Sequence, residues 1–190
     1  MPSVQGSRTE QNLLTAFLEE SADQNRYLYF AKVAKKEGYI AISSAFEETA
    51  MQERSHAKNF FKHLGEGELV LNTSFNMGRI GTTMENLTQS VRAERRQYEI
   101  LYAGFEAIAR DEGLLQIGRL FHSIAVAEKY HAAKFQSFID AIEKEAIFNN
   151  DESTSWVCTK CGYVHHGKSA LEKCPACGHP KAYFERTTLL

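Results

Sequence analysis

The chain has no cysteine before Cys158, and all four of its cysteines fall between residues 158 and 177. That clustering excludes a disulfide framework spread over the fold. In a cytosolic chain it argues for metal binding. Neither sign of charge is in excess: Lys plus Arg is 22 and Asp plus Glu is 24. Nothing therefore points to nucleic acid or to an anionic membrane. No apolar run approaches the ~20 residues of a membrane span. Residues Met1-Pro2-Ser3-Val4-Gln5-Gly6-Ser7-Arg8 hold no apolar stretch of a secretory signal, so the cytoplasm is the expected location. There is no Ser-His-Asp constellation and no phosphate-binding glycine loop, which sets aside hydrolase and kinase chemistry. With 190 residues and ordinary apolar and charged fractions, one or two soluble domains are expected.

What is present is a set of four helical seams. The second helical pattern has Ile42, Phe46, Thr49, Glu53, His56, Phe60 and Leu64 at alternating spacings of four and three, the period of a face packed in a bundle. The fourth reads Leu114, Ile117, Phe121, Ile124, Glu128, His131, Phe135, Phe138, Ile142. The first runs Leu13, Phe17, Glu20, Gln24, Tyr27, Ala31, Ala34, and the third Met84, Leu87, Val91, Glu94, Tyr98, Leu101, Phe105, Ile108. Every seam carries a glutamate near its middle. Two of them carry Glu-x-x-His, at Glu53-His56 and Glu128-His131, and residues three apart share a helix face. One such motif marks an ordinary solvated face; two on buried faces call for another reason.

The positions also repeat. Glu20 precedes Glu53 by 33 residues and Glu94 precedes Glu128 by 34, so each half reads Glu, then Glu-x-x-His, as a duplicated helix pair would. An ionised carboxylate buried without a partner costs several kcal/mol, and no Lys or Arg occupies these stripes. The four seam glutamates carry −4 with neutral histidines, which two divalent cations cancel. The alternative is a metal-free network of protonated Glu and His. A Glu from each of two helices plus Glu-x-x-His from the other two is the donor set of ferritin-like di-iron or di-manganese proteins, and the seams resemble it.

Taken in order, residues 1–8 read as a short arm and helix one as about Thr9–Glu37, stopped by Gly38. Helix two spans about Tyr39–Leu64. Residues 65–80 are long for a bundle loop and suit the one crossover connection of a ferritin-like bundle. Helix three is expected from Thr82 to Arg110 and helix four from Leu114 to Ala146. The predicted domains are a four-helix bundle over 1–148, a polar linker over 149–155 and a small metal module over 156–190. In that module, Cys158-Thr159-Lys160-Cys161 and Cys174-Pro175-Ala176-Cys177 are two knuckles separated by twelve residues, spaced for one tetrahedral metal. Four thiolates suit zinc or iron. About 35 residues cannot bury enough core alone, so the metal must help to fold the module.

The combination closely resembles the rubrerythrin family over nearly the whole chain. The likeness rests on Gly6-Ser7-Arg8-Thr9-Glu10, Asn25-Arg26-Tyr27, Gln52-Glu53-Arg54, Ile108-Ala109-Arg110-Asp111-Glu112-Gly113, Ala127-Glu128, Cys161-Gly162-Tyr163-Val164-His165 and Cys174-Pro175-Ala176-Cys177. The resemblance implies an all-α ferritin-like bundle with an oxo- and carboxylate-bridged di-iron centre, and a C-terminal rubredoxin-like iron domain that passes electrons to it. It implies reduction of hydrogen peroxide to water in oxidative-stress defence. Electrons would come from a reduced pyridine nucleotide through a separate reductase or rubredoxin. The di-iron ligands implied are Glu20, Glu53, Glu94, Glu128, His131 and, in the reduced state, His56. Tyr27 and Tyr102 match tyrosines that bond ligand carboxylates. Read from spacing alone, these two are equally core aromatics with satisfied hydroxyls. Cys158, Cys161, Cys174 and Cys177 would hold the mononuclear iron, with zinc as the alternative. The family is generally dimeric, so a homodimer is implied, with one subunit's rubredoxin-like domain serving the other's di-iron site.

One position departs from the family. Gln97 stands where a second third-helix glutamate ligand is usual, and Glu99, about 140° round an ideal helix from Glu94, is no obvious substitute. A neutral amide supplies no charge, so the expectation is a less favoured ferric state and a higher reduction potential, with the iron near His56 staying on that histidine or moving less on oxidation. Rival readings are an iron-storage or ferroxidase protein, an oxygen-reducing oxidase on the same metals, and a non-enzymatic bundle with a zinc ribbon.

Overall fold

The computed structural model describes residues 3–71 and 73–187; the first two residues of the expected arm and the last three of the expected module lie outside them. Helix α1 (Arg8–Lys36) starts where the Ser7 side chain accepts from Glu10 N–H. It stops at Glu37, before Gly38 at φ +86°, a backbone conformation that a residue with a Cβ adopts only under strain. The turn is short, so α2 (Ile40–Phe61) folds back along α1. Residues 62–71 and 73–82 belong to the crossover. Thr82 and Glu85 then make a reciprocal capping box and open α3 (Thr83–Arg96).

The third rod is not one α-helix. Gln97–Leu101 form a π-helical turn, after which α4 (Tyr102–Asp111) continues the rod. This corrects the predicted seam. Tyr98 and Leu101 are only partly buried, whereas Gln97 and Tyr102 are buried. On an ideal α-helix Tyr102 would sit about 80° round from Glu94. The π turn takes in one more residue and returns Tyr102 to the interior face. Helix α5 (Leu115–Glu143) packs along α3 and α4. Counting α3, the π turn and α4 as one rod, the described residues form a four-helix bundle of two helix pairs.

Two apolar clusters fill the bundle. One gathers Tyr27, Phe30, Phe46, Leu87 and Phe135, the other Leu13, Phe60, Tyr102, Phe121 and Ile124. Between them lies a layer of buried Glu20, Glu53, Glu94 and Glu128 with His131.

The expected linker is also corrected. Asn149–Cys158 is a single strand, β1, paired antiparallel with β2 (Val164–Ser169) and β3 (Phe184–Arg186) in the order β2-β1-β3. Asn149 pairs with Ser169 across an irregularity that ends at Thr154. Residues 149–155 are polar because they stay exposed or half-buried. Backbone pairing orders them, and the apolar signal begins only at Trp156, in a small core with Cys158, Cys174 and Phe184.

Glu112 ties the two helix pairs together. Its carboxylate accepts from Arg8 N–H, Thr9 N–H and the Thr9 hydroxyl at 3.0, 3.0 and 2.6 Å, satisfying free donors at the start of α1. The Thr9 hydroxyl foremost, with those backbone N–H groups, holds the carboxyl below the ordinary range. Glu112→Ala is expected to cost about 1 kcal/mol at pH 7. A carboxyl lowered in the folded state stabilises above its unfolded pKa, and that contribution disappears as pH falls through the lowered value. The wild-type-minus-variant difference in denaturant unfolding should therefore shrink between pH 5 and pH 3. A difference independent of pH would show that the carboxylate is not the cap.

Candidate metal centre

Each bundle helix delivers its glutamate to the polar layer because the seam spacing puts it on the buried face. Two donor clusters result: Glu20, Glu53, His56 and Glu128 in one, Glu53, Glu94, Glu128 and His131 in the other. Glu53 and Glu128 belong to both. Glu53 turns Oε2 to His56 Nδ1 and Oε1 to His131 Nδ1, each at 3.0 Å. Glu128 does the converse, with Oε1 at 3.0 Å from His56 Nδ1 and Oε2 at 2.8 Å from His131 Nδ1. Glu20 Oε2 stands 3.4 Å from His56 Nδ1 and Glu94 Oε2 3.8 Å from His131 Nδ1. Each cluster thus has one carboxylate of its own, one imidazole nitrogen, and one oxygen from each of two shared carboxylates.

An imidazole Nδ1 carries at most one hydrogen, yet three carboxylates converge on each. Glu20 Oε2, Glu53 Oε1, Glu94 Oε2 and Glu128 Oε1 are buried without a hydrogen-bond partner, an arrangement that is costly unless a cation takes them up. Burial raises the carboxyls of Glu20 and Glu94 well above the ordinary range, reinforced by Glu128 and Glu53. Burial opposes charge on His131 as well, but Glu128, Glu53 and Glu94 outweigh it and push the imidazole up to about 12. His56 moves the same way, under Glu128, Glu20 and Glu53. Without a metal the layer is held together by protons, which cations displace. The residues fit a pair of metal ions.

The surrounding groups fix these donors. Tyr27 donates its hydroxyl hydrogen to Glu94 Oε1, and Tyr102 donates to Glu20 Oε1. Both phenols are fully buried, and burial holds their pKa values well above 10. His131 Nε2 faces Gln52 Oε1 at 3.0 Å, which keeps a proton on Nε2 and frees Nδ1 for a metal. Sequence reasoning assigned Gln52 no role, because it lies off the seam. It also set Gln24 on the first seam, whereas neighbouring Asp23 is the buried residue there. Gln97 is buried, and its amide donates to Asp23 Oδ2 at 2.9 Å. Glu99 is exposed despite the π turn.

In the C-terminal module the four cysteines form no disulfide. Their sulfurs lie within 4.8 Å of one another, with Cys158–Cys177 and Cys161–Cys174 at 3.7 Å. A tetrahedron with metal–sulfur bonds of about 2.3 Å has edges of about 3.8 Å, so the thiols are set for one ion.

Because Glu53 gives an oxygen to each cluster, Glu53→Ala should empty both bundle positions. Glu94→Ala should empty one, and neither should disturb the four-cysteine site. Metal analysis after anaerobic iron loading should give three ions per chain for the wild type, one for Glu53→Ala and two for Glu94→Ala. Equal losses in the two variants would contradict the shared role of Glu53.

Comparison with known proteins agrees with this geometry. The rubrerythrin family model matches residues 11–139, and the rubredoxin-like domain of rubrerythrin matches residues 156–185. The chain is 49% identical over 185 residues to a rubrerythrin of Nitratidesulfovibrio vulgaris, covering 97% of both chains. It is 44% identical to a rubrerythrin of Porphyromonas gingivalis, over 96% of this chain and 92% of that one. A mixed-valence structure of nigerythrin superposes with a TM-score of 0.62 at 26% identity, over 98% of this chain and 92% of that one. In that setting the donor sets fit two irons in the bundle and one in the four-cysteine module. With both modules matched and relatives alike over nearly their full length, the chain belongs to the rubrerythrin family.

Proposed function

We propose that this chain is a peroxidase that reduces hydrogen peroxide to two waters, taking up two electrons and two protons in each turnover. The observation that carries the reading is the pair of donor clusters sharing Glu53 and Glu128, in one chain with a four-cysteine site. We assign Glu20, Glu53, His56, Glu94, Glu128 and His131 to the bundle metals, and Cys158, Cys161, Cys174 and Cys177 to the mononuclear one. Two ferrous ions held in the bundle would supply both electrons and Lewis acidity toward peroxide.

The protein's part is to hold charge, protons and geometry. Glu53 and Glu128, shared between the clusters, set the two donor sets side by side, where they would hold two metal ions next to one another. Tyr27 and Tyr102 donate hydrogen bonds to the terminal carboxylates Glu94 and Glu20, so each of these donors has a phenolic proton beside it. The apolar clusters above and below the layer keep bulk water from the reduced site. The four-cysteine module provides a one-electron site through which electrons from a separate reductase or rubredoxin, and ultimately from a reduced pyridine nucleotide, return to the bundle. We assign the protein to the cytoplasm as a homodimer active in oxidative-stress defence; four cysteines without disulfides suit a reducing compartment.

Cys161→Ser should abolish steady-state NADH-driven peroxide reduction while a chemically pre-reduced bundle still consumes about one equivalent of peroxide in stopped flow. Steady-state rates equal to wild type would show that electrons bypass the module. Turnover with oxygen exceeding that with peroxide would favour an oxidase instead.

A further inference from the structure

A ring of four side chains closes behind one of the two histidines. His131 and Lys134 lie one turn apart on α5, and Glu48 and Gln52 one turn apart on α2. His131 Nε2 is 3.0 Å from Gln52 Oε1. The Gln52 amide donates through Nε2 to Glu48 Oε1 at 3.5 Å. Glu48 Oε2 accepts from Lys134 Nζ, which returns the chain of bonds to α5. The ring leads outward from the metal layer: His131 is 2% exposed, Gln52 is half-buried and Glu48 is exposed.

Chemistry fixes the roles along this ring. An ionised carboxylate only accepts, an ammonium only donates, and an amide does both at different atoms. Glu48 therefore draws the NH2 of Gln52 to itself and turns Oε1 toward His131. The opposite amide orientation would set an oxygen against the carboxylate and a donor against Nε2. An ion pair as exposed as Glu48–Lys134 adds little to stability, yet it holds the acceptor that orients the amide. The internal repeat supplies a contrast. Glu128 lies 75 residues after Glu53, and at that offset Ser123, Ala127 and Asn59 stand where the first arrangement has Glu48, Gln52 and Lys134. His56 makes its contacts through Nδ1, with no hydrogen-bond partner at Nε2 among the described residues.

We propose that Glu48 and Lys134 are positioning residues of the bundle site: through the Gln52 amide they fix His131 with its hydrogen on Nε2, and so present Nδ1 to the cation on the Glu94 side. The proposal rests on the di-metal reading above. The carboxylate also polarises the amide, and the amide oxygen in turn makes His131 the more basic imidazole. The two metal positions then differ in how firmly their histidine is held, and not in their number of donors. His131 is tied to the surface pair, whereas His56 has no such support.

Cobalt(II) titration of the full chain, with its four-cysteine site already filled, tests this without turnover. Glu20→Gln leaves the position beside His131 as the intact one, and Glu94→Gln leaves the one beside His56. In the Glu20→Gln protein, Glu48→Ala and Gln52→Ala should each weaken bundle cobalt binding about ten-fold. Together they should still cost about ten-fold, because Glu48 acts through Gln52; independent effects would multiply to about a hundred-fold. In the Glu94→Gln protein each should change binding by less than about three-fold, the scatter of independent sites. The shifted imidazole N–H signal of His131 in the cobalt-loaded protein should exchange with solvent faster in Glu48→Ala, which loss of a surface ion pair alone would not cause. Glu48 is exposed, so its alanine variant should fold, as far-UV circular dichroism checks, and Gln52→Met gives the same reading if Gln52→Ala does not fold. A Glu48→Ala loss below about three-fold beside His131, equal losses in the two backgrounds, a combined loss near a hundred-fold, or unchanged N–H exchange overturns the proposal. Failure of the unmutated chain to take up two cobalt ions in its bundle is a separate result, and would overturn the di-metal reading itself.

Discussion

Four carboxylates buried between two apolar clusters must be neutralised, and the rest of the structure answers that requirement. Each costs several kcal/mol if left ionised and unpaired, and among the described residues their only ionic partners are His56 and His131. Protons on His56, His131, Glu20 and Glu94 are what the metal-free protein has to offer. They leave four carboxylate oxygens without partners. Two cations satisfy those oxygens and the converging imidazole nitrogens together. The layer therefore contributes stability only when loaded, and its chemistry and its folding are linked.

The bundle is built to present this layer from both sides. Two helix pairs of like pattern give two like clusters, and the shared residues Glu53 and Glu128 come from the second helix of each pair. The tyrosine bonds cross between the pairs, from α1 to Glu94 and from α4 to Glu20. The second crossing depends on the π turn. On a continuous α-helix Tyr102 would not face the same way as Glu94. The turn spends one residue to bring Gln97 and Tyr102 inward together.

Much of this was legible in the sequence. The seam spacing identified Glu20, Glu53, Glu94, Glu128 and His131 as interior residues, since 3.6-residue periodicity is a direct record of burial. Cys-x-x-Cys twice gave the second metal module. Three features were not legible, for separate reasons. The π turn leaves no mark in composition, and it shifted the buried set from Tyr98 and Leu101 to Gln97 and Tyr102. The strand over 149–155 was read as a linker because its order comes from backbone pairing with Ser169 and its neighbours, to which side-chain pattern is blind. Asp23 was passed over for Gln24 because the two are adjacent at the edge of the stripe, and only the partner helix decides between them.

The central claim is that Glu53 and Glu128 are shared between two metal positions. Anomalous diffraction at the iron edge from crystals of the iron-loaded protein tests it most directly. Two peaks are expected in the bundle, each approached by one oxygen of Glu53 and one of Glu128, with His56 beside one peak and His131 beside the other. A single bundle peak, or two peaks with no carboxylate in common, would contradict it.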